Sequence, residues 1–335
     1  MEKFKPRKFI KLNMKDFKNL FAGIKMPTVK KLEGLKVDCG YGNWVSEPLS
    51  MPINPNRDTG NYINIPITPK QLENKLGKIF KSFKNIEPFV SIEKPIPIFI
   101  MGPPGIGKTE IVQNVGEKYG LKVKRFIAST LDISQLIGLP TPSLNSNIIK
   151  WYILEDFYNL GTQGAGEIYF FDEINTGEPK IQEMLYRLLF EGKLGKIDIS
   201  YALRIGAGYR IPDYENVQKI GLPMATKFPI YLLDPDLESW LEWAKENDIN
   251  DYILYYLYQV FLQTKGINDP RWFCINQKMP GVGRATPRSW KNLSKLMNIG
   301  LDEKEDILAT LGALPGSLFS EWYMNAKKIS SEKNI

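Results

Sequence analysis

The chain has 335 residues, with ordinary apolar and charged fractions of 43% and 24%, enough for a sizeable core and about two domains. It contains no histidine, which excludes imidazole acid–base chemistry, Ser-His-Asp and Cys-His nucleophile systems, and imidazole metal ligands. The net charge of +7 is gathered at the start: residues 1–36 hold ten lysines and Arg7 against Glu2, Asp16 and Glu33, a net of +8, so the rest is close to neutral.

Residues 1–65 read as a basic N-terminal extension followed by an irregular, proline-bearing stretch. Such an arm suits nucleic acid or an acidic partner; a solvated extension with its lysines outward fits the same composition. It has neither an apolar stretch followed by a small-residue cleavage site nor, anywhere in the chain, the run of about 18 apolar residues that spans a membrane. A cytoplasmic location is therefore expected. Cys39 and Cys274 have no paired spacing, which suits a reducing compartment and argues against a disulfide framework.

From residue 66 onward the pattern is regular. Apolar residues at Leu72, Leu76, Ile79, Phe80 and Phe83 predict a helix from Pro69 to Phe83, with proline at its start. "IPIFIM" (96–101) predicts a short buried strand, then a glycine loop and a helix from Lys108 to Tyr119. "LKVKRFIA" (121–128), "EIYFFDEIN" (167–175), "ALRIGAG" (202–208) and "FPIYLL" (228–233) predict four more strands, with an amphipathic helix at 178–192. Alternating strands and helices imply an α/β domain, 66–233, around a mostly parallel sheet. From 234 to 335 helix follows helix. Asp234-Pro235-Asp236 reads as a helix start, 251–266 as a buried helix and Thr286-Pro287 as another start. Asp302 and Glu305 form a capping pattern for the next.

Two constellations carry chemistry. Gly102-Pro103-Pro104-Gly105-Ile106-Gly107-Lys108-Thr109 fits G-x-x-x-x-G-K-[ST] between a buried strand and a helix. Its glycines let backbone N–H groups cradle phosphate, helped by the helix dipole. Lys108 would reach the β- and γ-phosphates of ATP, and the Thr109 hydroxyl would ligate Mg2+; Glu110 adjoins the same loop. Asp172 and Glu173 emerge at the end of a four-residue apolar strand, on the edge where a parallel sheet binds ligands. Asp172 would hold Mg2+, and Glu173 would orient or polarise the attacking water.

"GPPGIGKT", "LDISQLIGLP" (131–140), "FFDEIN", "RIGAGYRIPD", "MATKFPIYLL", "LESWLEWA" and "ATPRSW", in this order from about Leu72 to Met297, resemble the AAA+ ATPases and, within them, the MoxR-like branch. The resemblance implies a three-layer P-loop NTPase core and a small all-α lid. It also implies assembly into a homo-oligomeric ring, often a hexamer, with ATP between neighbours. Arg288 of "TPRSW" would then sense the γ-phosphate from the lid, or else be a solvated helix-start arginine. Residues 136–152 match the place where this branch inserts a hairpin facing the pore, with a turn at Asn145-Ser146-Asn147. Lys150 and Trp151 there would touch a threaded partner, or serve as an ordinary lysine and a packed tryptophan. Two positions depart from the family. Tyr209 stands where a polar Asn usually ends the fourth strand. Lys227 stands where an Arg is usually given to the neighbour's phosphate, and lysine loses the bidentate fork; Arg204 or Arg210 offer themselves as substitutes. Three functions follow as expectations: an ATPase ring remodelling a protein client, a nucleic-acid motor using the basic arm, and an ATP-gated scaffold with weak hydrolysis.

Overall fold

The computed structural model describes residues 66–84, 95–143, 149–153, 155–158, 167–210, 217–218, 226–264, 269–274 and 283–332. The expected basic extension, the turn at Asn145–Asn147 and Cys39 lie outside these residues. The described residues fall into two compact units, one within Pro52–Pro235 and one within Asp236–Ile335.

The first unit opens with helix α1 (Pro69–Lys84). Thr68 and Gln71 cap it reciprocally, each side chain accepting from the other's backbone N–H at 3.2 and 3.0 Å. A sheet follows, built from β1 (Ile98–Met101), β2 (Lys122–Ile127), β5 (Glu167–Asp172), β8 (Leu203–Gly208) and β9 (Ile230–Leu232) in the order β2-β5-β8-β1-β9. Every pairing within it is parallel. Helix α2 (Lys108–Lys118) connects β1 to β2, and helix α3 (Pro179–Glu191) lies between β5 and β8 in the chain.

The two-residue period of the strands sorts their side chains into two cores. Ile98, Ile100, Ile168, Phe170, Ile205 and Ala207 pack with α1 and α2. Phe99, Met101, Tyr169 and Phe171 pack instead with α3 through Ile181, Leu185, Leu188 and Leu189. Helices on both faces make three layers. Strands buried on both faces read as continuous apolar runs, which is why "IFIM" and "IYFF" show no alternation.

Outside the sheet, β3 (Leu139–Pro142) and β4 (Ile149–Tyr152) form an antiparallel hairpin, with Leu139 opposite Tyr152 and Pro142 opposite Ile149. A smaller antiparallel pair joins β6 (Lys193–Leu194) and β7 (Ile197–Asp198).

The second unit is helical: α4 (Leu237–Glu246), α5 (Asp251–Thr264), α6 (Pro287–Asn298), α7 (Lys304–Leu311) and α8 (Ala313–Glu332). Asp236 caps α4 by accepting from Ser239 N at 2.8 Å, and Thr286 caps α6 by accepting from Ser289 N at 3.2 Å. The capping pair of α7 is Glu303 with Asp306, one residue later than the expected Asp302 and Glu305. Asp302 instead accepts hydrogen bonds from the Tyr323 hydroxyl at 2.5 Å and Lys327 Nζ at 2.8 Å. The core is aromatic: Tyr256 lies 5.1 Å from Phe319, 5.4 Å from Trp322 and 6.1 Å from Trp290, between ring centroids. Cys274 is buried and disulfide-bonded, its partner outside the described residues. This departs from the expectation, drawn from the cysteines' spacing, that argued against a disulfide framework. Among the described residues no helix is long and apolar enough to cross a membrane.

Candidate functional site

The loop from Gly102 to Gly107 leaves β1 at its C-terminal end and feeds α2. A Cβ on Gly102 would stand 2.7 Å from the Leu233 carbonyl oxygen, so this glycine is demanded by packing rather than by phosphate approach. Gly107 has φ +101° and nothing near its missing side chain. It is the N-cap of α2, and no side chain caps that helix. Backbone donors at such an end suit an anion. Ile106 turns into the core beneath, while Pro103 is buried and Pro104, Gly105, Thr109 and Glu110 are half-buried.

Lys108 is 6% exposed. Its Nζ donates to the Gly102 and Pro103 carbonyl oxygens at 2.7 and 2.9 Å and lies 4.4 Å from the centroid of the Tyr209 ring. The chain thus folds its own loop and an aromatic face around the ammonium.

Asp172 closes β5 with its side chain 3% exposed. Its Oδ2 accepts from Thr109 Oγ1 at 2.7 Å and from Arg125 Nη2 and Nε at 2.8 and 3.0 Å; its Oδ1 accepts from Glu173 N at 3.0 Å. A buried carboxylate requires such partners, and the parallel register that sets Ile127 beside Asp172 brings Arg125 within reach. The next residue, Glu173, is left-handed at φ 56°, a conformation costing a non-glycine residue on the order of 1 kcal/mol. Its Oε1 accepts from the Tyr209 hydroxyl at 2.7 Å.

Asn175, 1% exposed, ties this turn to the end of β8. Its Nδ2 donates to the Tyr209 carbonyl at 2.7 Å and its Oδ1 accepts from Tyr209 N at 2.9 Å. Lys108, Thr109, Asp172 and Glu173 are therefore brought together as expected. Arg125 and Asn175 join them unannounced; the only sequence signal was a charged residue near the end of β2 and the last letter of "FFDEIN".

The other candidates lie elsewhere. Lys227 is exposed ahead of β9, its Nζ 4.4 Å from the Phe190 ring centroid. Arg288 belongs to the second unit, exposed on the first turn of α6. Of the two arginines named as substitute fingers, one is buried and the other is ion-paired within its own unit. Arg204 is 2% exposed and donates to the carbonyls of Leu189, Ile199, Ser200, Ala202 and Pro95; burial pushes its guanidinium down to about 10. Arg210 pairs with Asp234 at 2.5 Å.

Residues fitting Mg2+ and a nucleotide are present. Thr109 Oγ1 and Asp172 Oδ2, 2.7 Å apart, are hard oxygen donors of the kind Mg2+ selects. The uncapped start of α2 and the Lys108 ammonium supply what a phosphate needs.

Residues 97–199 match the AAA domain family, dynein-related subfamily. No curated protein matched the chain. Among solved structures, the Thermotoga maritima RuvB Holliday junction branch migration motor shares 15% identity over 78% of this chain and 68% of its own, with a TM-score of 0.41. A putative ATPase from Cytophaga hutchinsonii shares 16% identity over 58% of each chain, with a TM-score of 0.36.

Proposed function

We propose, starting from an AAA domain of the dynein-related subfamily at residues 97–199, that this chain binds and hydrolyses ATP and uses the cycle to remodel a protein partner. The observation that carries the reading is the convergence of Lys108, Thr109, Asp172 and Glu173 at the C-terminal edge of one parallel sheet. In this reading 66–233 is the nucleotide-binding core and 234–335 the lid, and the active form is a homo-oligomeric ring.

The loop amides and Lys108 would hold the β- and γ-phosphates. Thr109 and Asp172 would hold Mg2+, which when bound neutralises charge on the phosphates. Glu173 would orient the attacking water and take its proton. Arg288 and the neighbouring subunit's Lys227 would complete the charge around the γ-phosphate. A lysine there supports slower hydrolysis than an arginine fork.

A protein client is favoured over nucleic acid by the hairpin. Leu139, Ile149, Trp151 and Tyr152 are 60%, 62%, 40% and 63% exposed, a mainly apolar surface in which Lys150, also exposed, is the one cation among the described residues of the two strands. Such exposed patches mark interaction sites.

The test is ATP turnover measured against oligomeric state, with and without DNA or RNA. Lys108→Ala should abolish nucleotide binding. Glu173→Gln should bind ATP and lower turnover by about 100-fold or more. Normal hydrolysis by Glu173→Gln would refute the assignment of the base. A severalfold stimulation by nucleic acid that disappears with salt would transfer the reading to a nucleic-acid motor.

A further inference from the structure

We infer that Tyr209 is a positioning residue that acts as a latch: one side chain engages the phosphate-binding lysine and the general base together, so a nucleotide arriving at Lys108 also releases Glu173. The inference rests on the ATPase reading above and adds to it the coupling between binding and chemistry.

Three contacts carry it. An ammonium has three donors, and two of Lys108's point at the Gly102 and Pro103 carbonyl oxygens. The Tyr209 ring, 4.4 Å from Nζ, lies within the range of an attractive cation–π contact. A phosphate oxygen bonding Nζ must compete with this ring for the same buried charge. The far end of that ring carries the hydroxyl that donates to Glu173 Oε1 at 2.7 Å. While this bond stands, that oxygen of Glu173 is engaged by a donor rather than by a water it would deprotonate.

The Tyr209 backbone does not share in the movement. Both its N–H and its carbonyl are bonded to the buried Asn175 side chain, and Asn175 sits two residues beyond Glu173. Displacement of the ring from Lys108 is therefore a rotation of the Tyr209 side chain about a fixed anchor, and the hydroxyl swings with the ring. Binding at one end is transmitted to the base at the other through a single rigid aromatic. By population-shift reasoning, the latch lowers apparent affinity by the fraction of sites it holds closed.

The experiment compares the full-length wild type with Tyr209→Phe and Tyr209→Leu, each checked by thermal melting. A fluorescent ATP analogue reports Kd, and a phosphate-release assay reports kcat and KM. Tyr209→Phe keeps the ring over Lys108 and loses the bond to Glu173, which weakens the latched state alone, so Kd should tighten by up to about 10- to 150-fold, the worth of one hydrogen bond to a charged group, with kcat at saturating ATP changing less. Tyr209→Leu removes both contacts, so Kd should tighten by about a further 3- to 10-fold, the worth of a cation–π contact. A Kd for Tyr209→Phe that is unchanged or weaker, in a folded variant that still binds, overturns the latch while leaving the ATPase reading intact. Absence of nucleotide binding by the wild type overturns both.

Discussion

Replacing Arg125 by Gln tests how the site supports its buried acid. Asp172 Oδ2 has three donors, and Arg125 supplies two of them at 2.8 and 3.0 Å. Breaking a fully buried pair costs about 3–5 kcal/mol, and an exposed pair is worth about 0–1. Here Asp172 is 3% exposed and Arg125 34%, so water reaches one partner only. Thr109 and the Glu173 amide remain bonded to the carboxylate. The expected loss is about 1.5–3 kcal/mol, between those limits. For a unit of this size that lowers Tm by about 3–12 °C, read by differential scanning calorimetry of the nucleotide-free protein. Magnesium and ATP should then raise Tm more in Arg125→Gln than in the wild type, because a bound cation returns positive charge to Asp172. A nucleotide-free Arg125→Gln melting within about 1 °C of the wild type would refute the claim that Arg125 supports Asp172.

Arg204→Met removes the guanidinium donor from five carbonyl oxygens, of which that of Ile199 keeps the Ala202 N–H, and should lower stability by about 3 kcal/mol, seen as a reduced urea midpoint at unchanged m. Gly208→Ala places a Cβ 2.5 Å from Asn175 Oδ1; expelling that side chain and its two bonds to Tyr209 should cost about 2 kcal/mol, measurable by the same melt. Burial pulls the Asp302 carboxyl upward, but hydrogen bonds from Lys327 and Tyr323 outweigh it and hold the group below its ordinary 3.8. A depressed carboxylate stabilises above its unfolded value, and that contribution is lost as pH falls through the folded one. Urea melts at and below about pH 4 should thus show a steeper acid loss in the wild type than in Asp302→Asn; parallel pH profiles would refute it.

What was legible in the sequence was whatever chemistry is contiguous. The eight residues from Gly102 to Thr109 declare themselves because loop, lysine and hydroxyl must follow one another in the chain. Asp172 and Glu173 declare themselves because a buried strand ends on them. The family named from those motifs is the one that residues 97–199 match. Arg125 and Asn175 were missed because their partners are assembled by strand order, which no local pattern encodes. Arg204 and Arg210 were left open as substitute fingers for the same reason, although β8 offered a clue for the first: an arginine inside an otherwise apolar, wholly buried strand points inward. The capping of α7 slipped by one residue because Asp302/Glu305 and Glu303/Asp306 present the same spacing, and packing of Asp302 against Tyr323 and Lys327 chose between them.

The strand order has a consequence for how the site comes into being. β1, which launches the phosphate loop, is flanked by β8 and β9, the last two strands of the sheet to leave the ribosome. Ile98 waits for Ile205, and Phe99 for Ile230. None of these pairings is a hairpin, so each closes a long loop before it is rewarded, the circumstance that slows parallel sheets. A nascent chain halted before residue 230 carries the whole Gly102–Thr109 motif yet lacks one of the two strands that hold its root. The seating of the Gly102–Thr109 loop in the sheet is thus a late event in synthesis, complete only once β9 has docked.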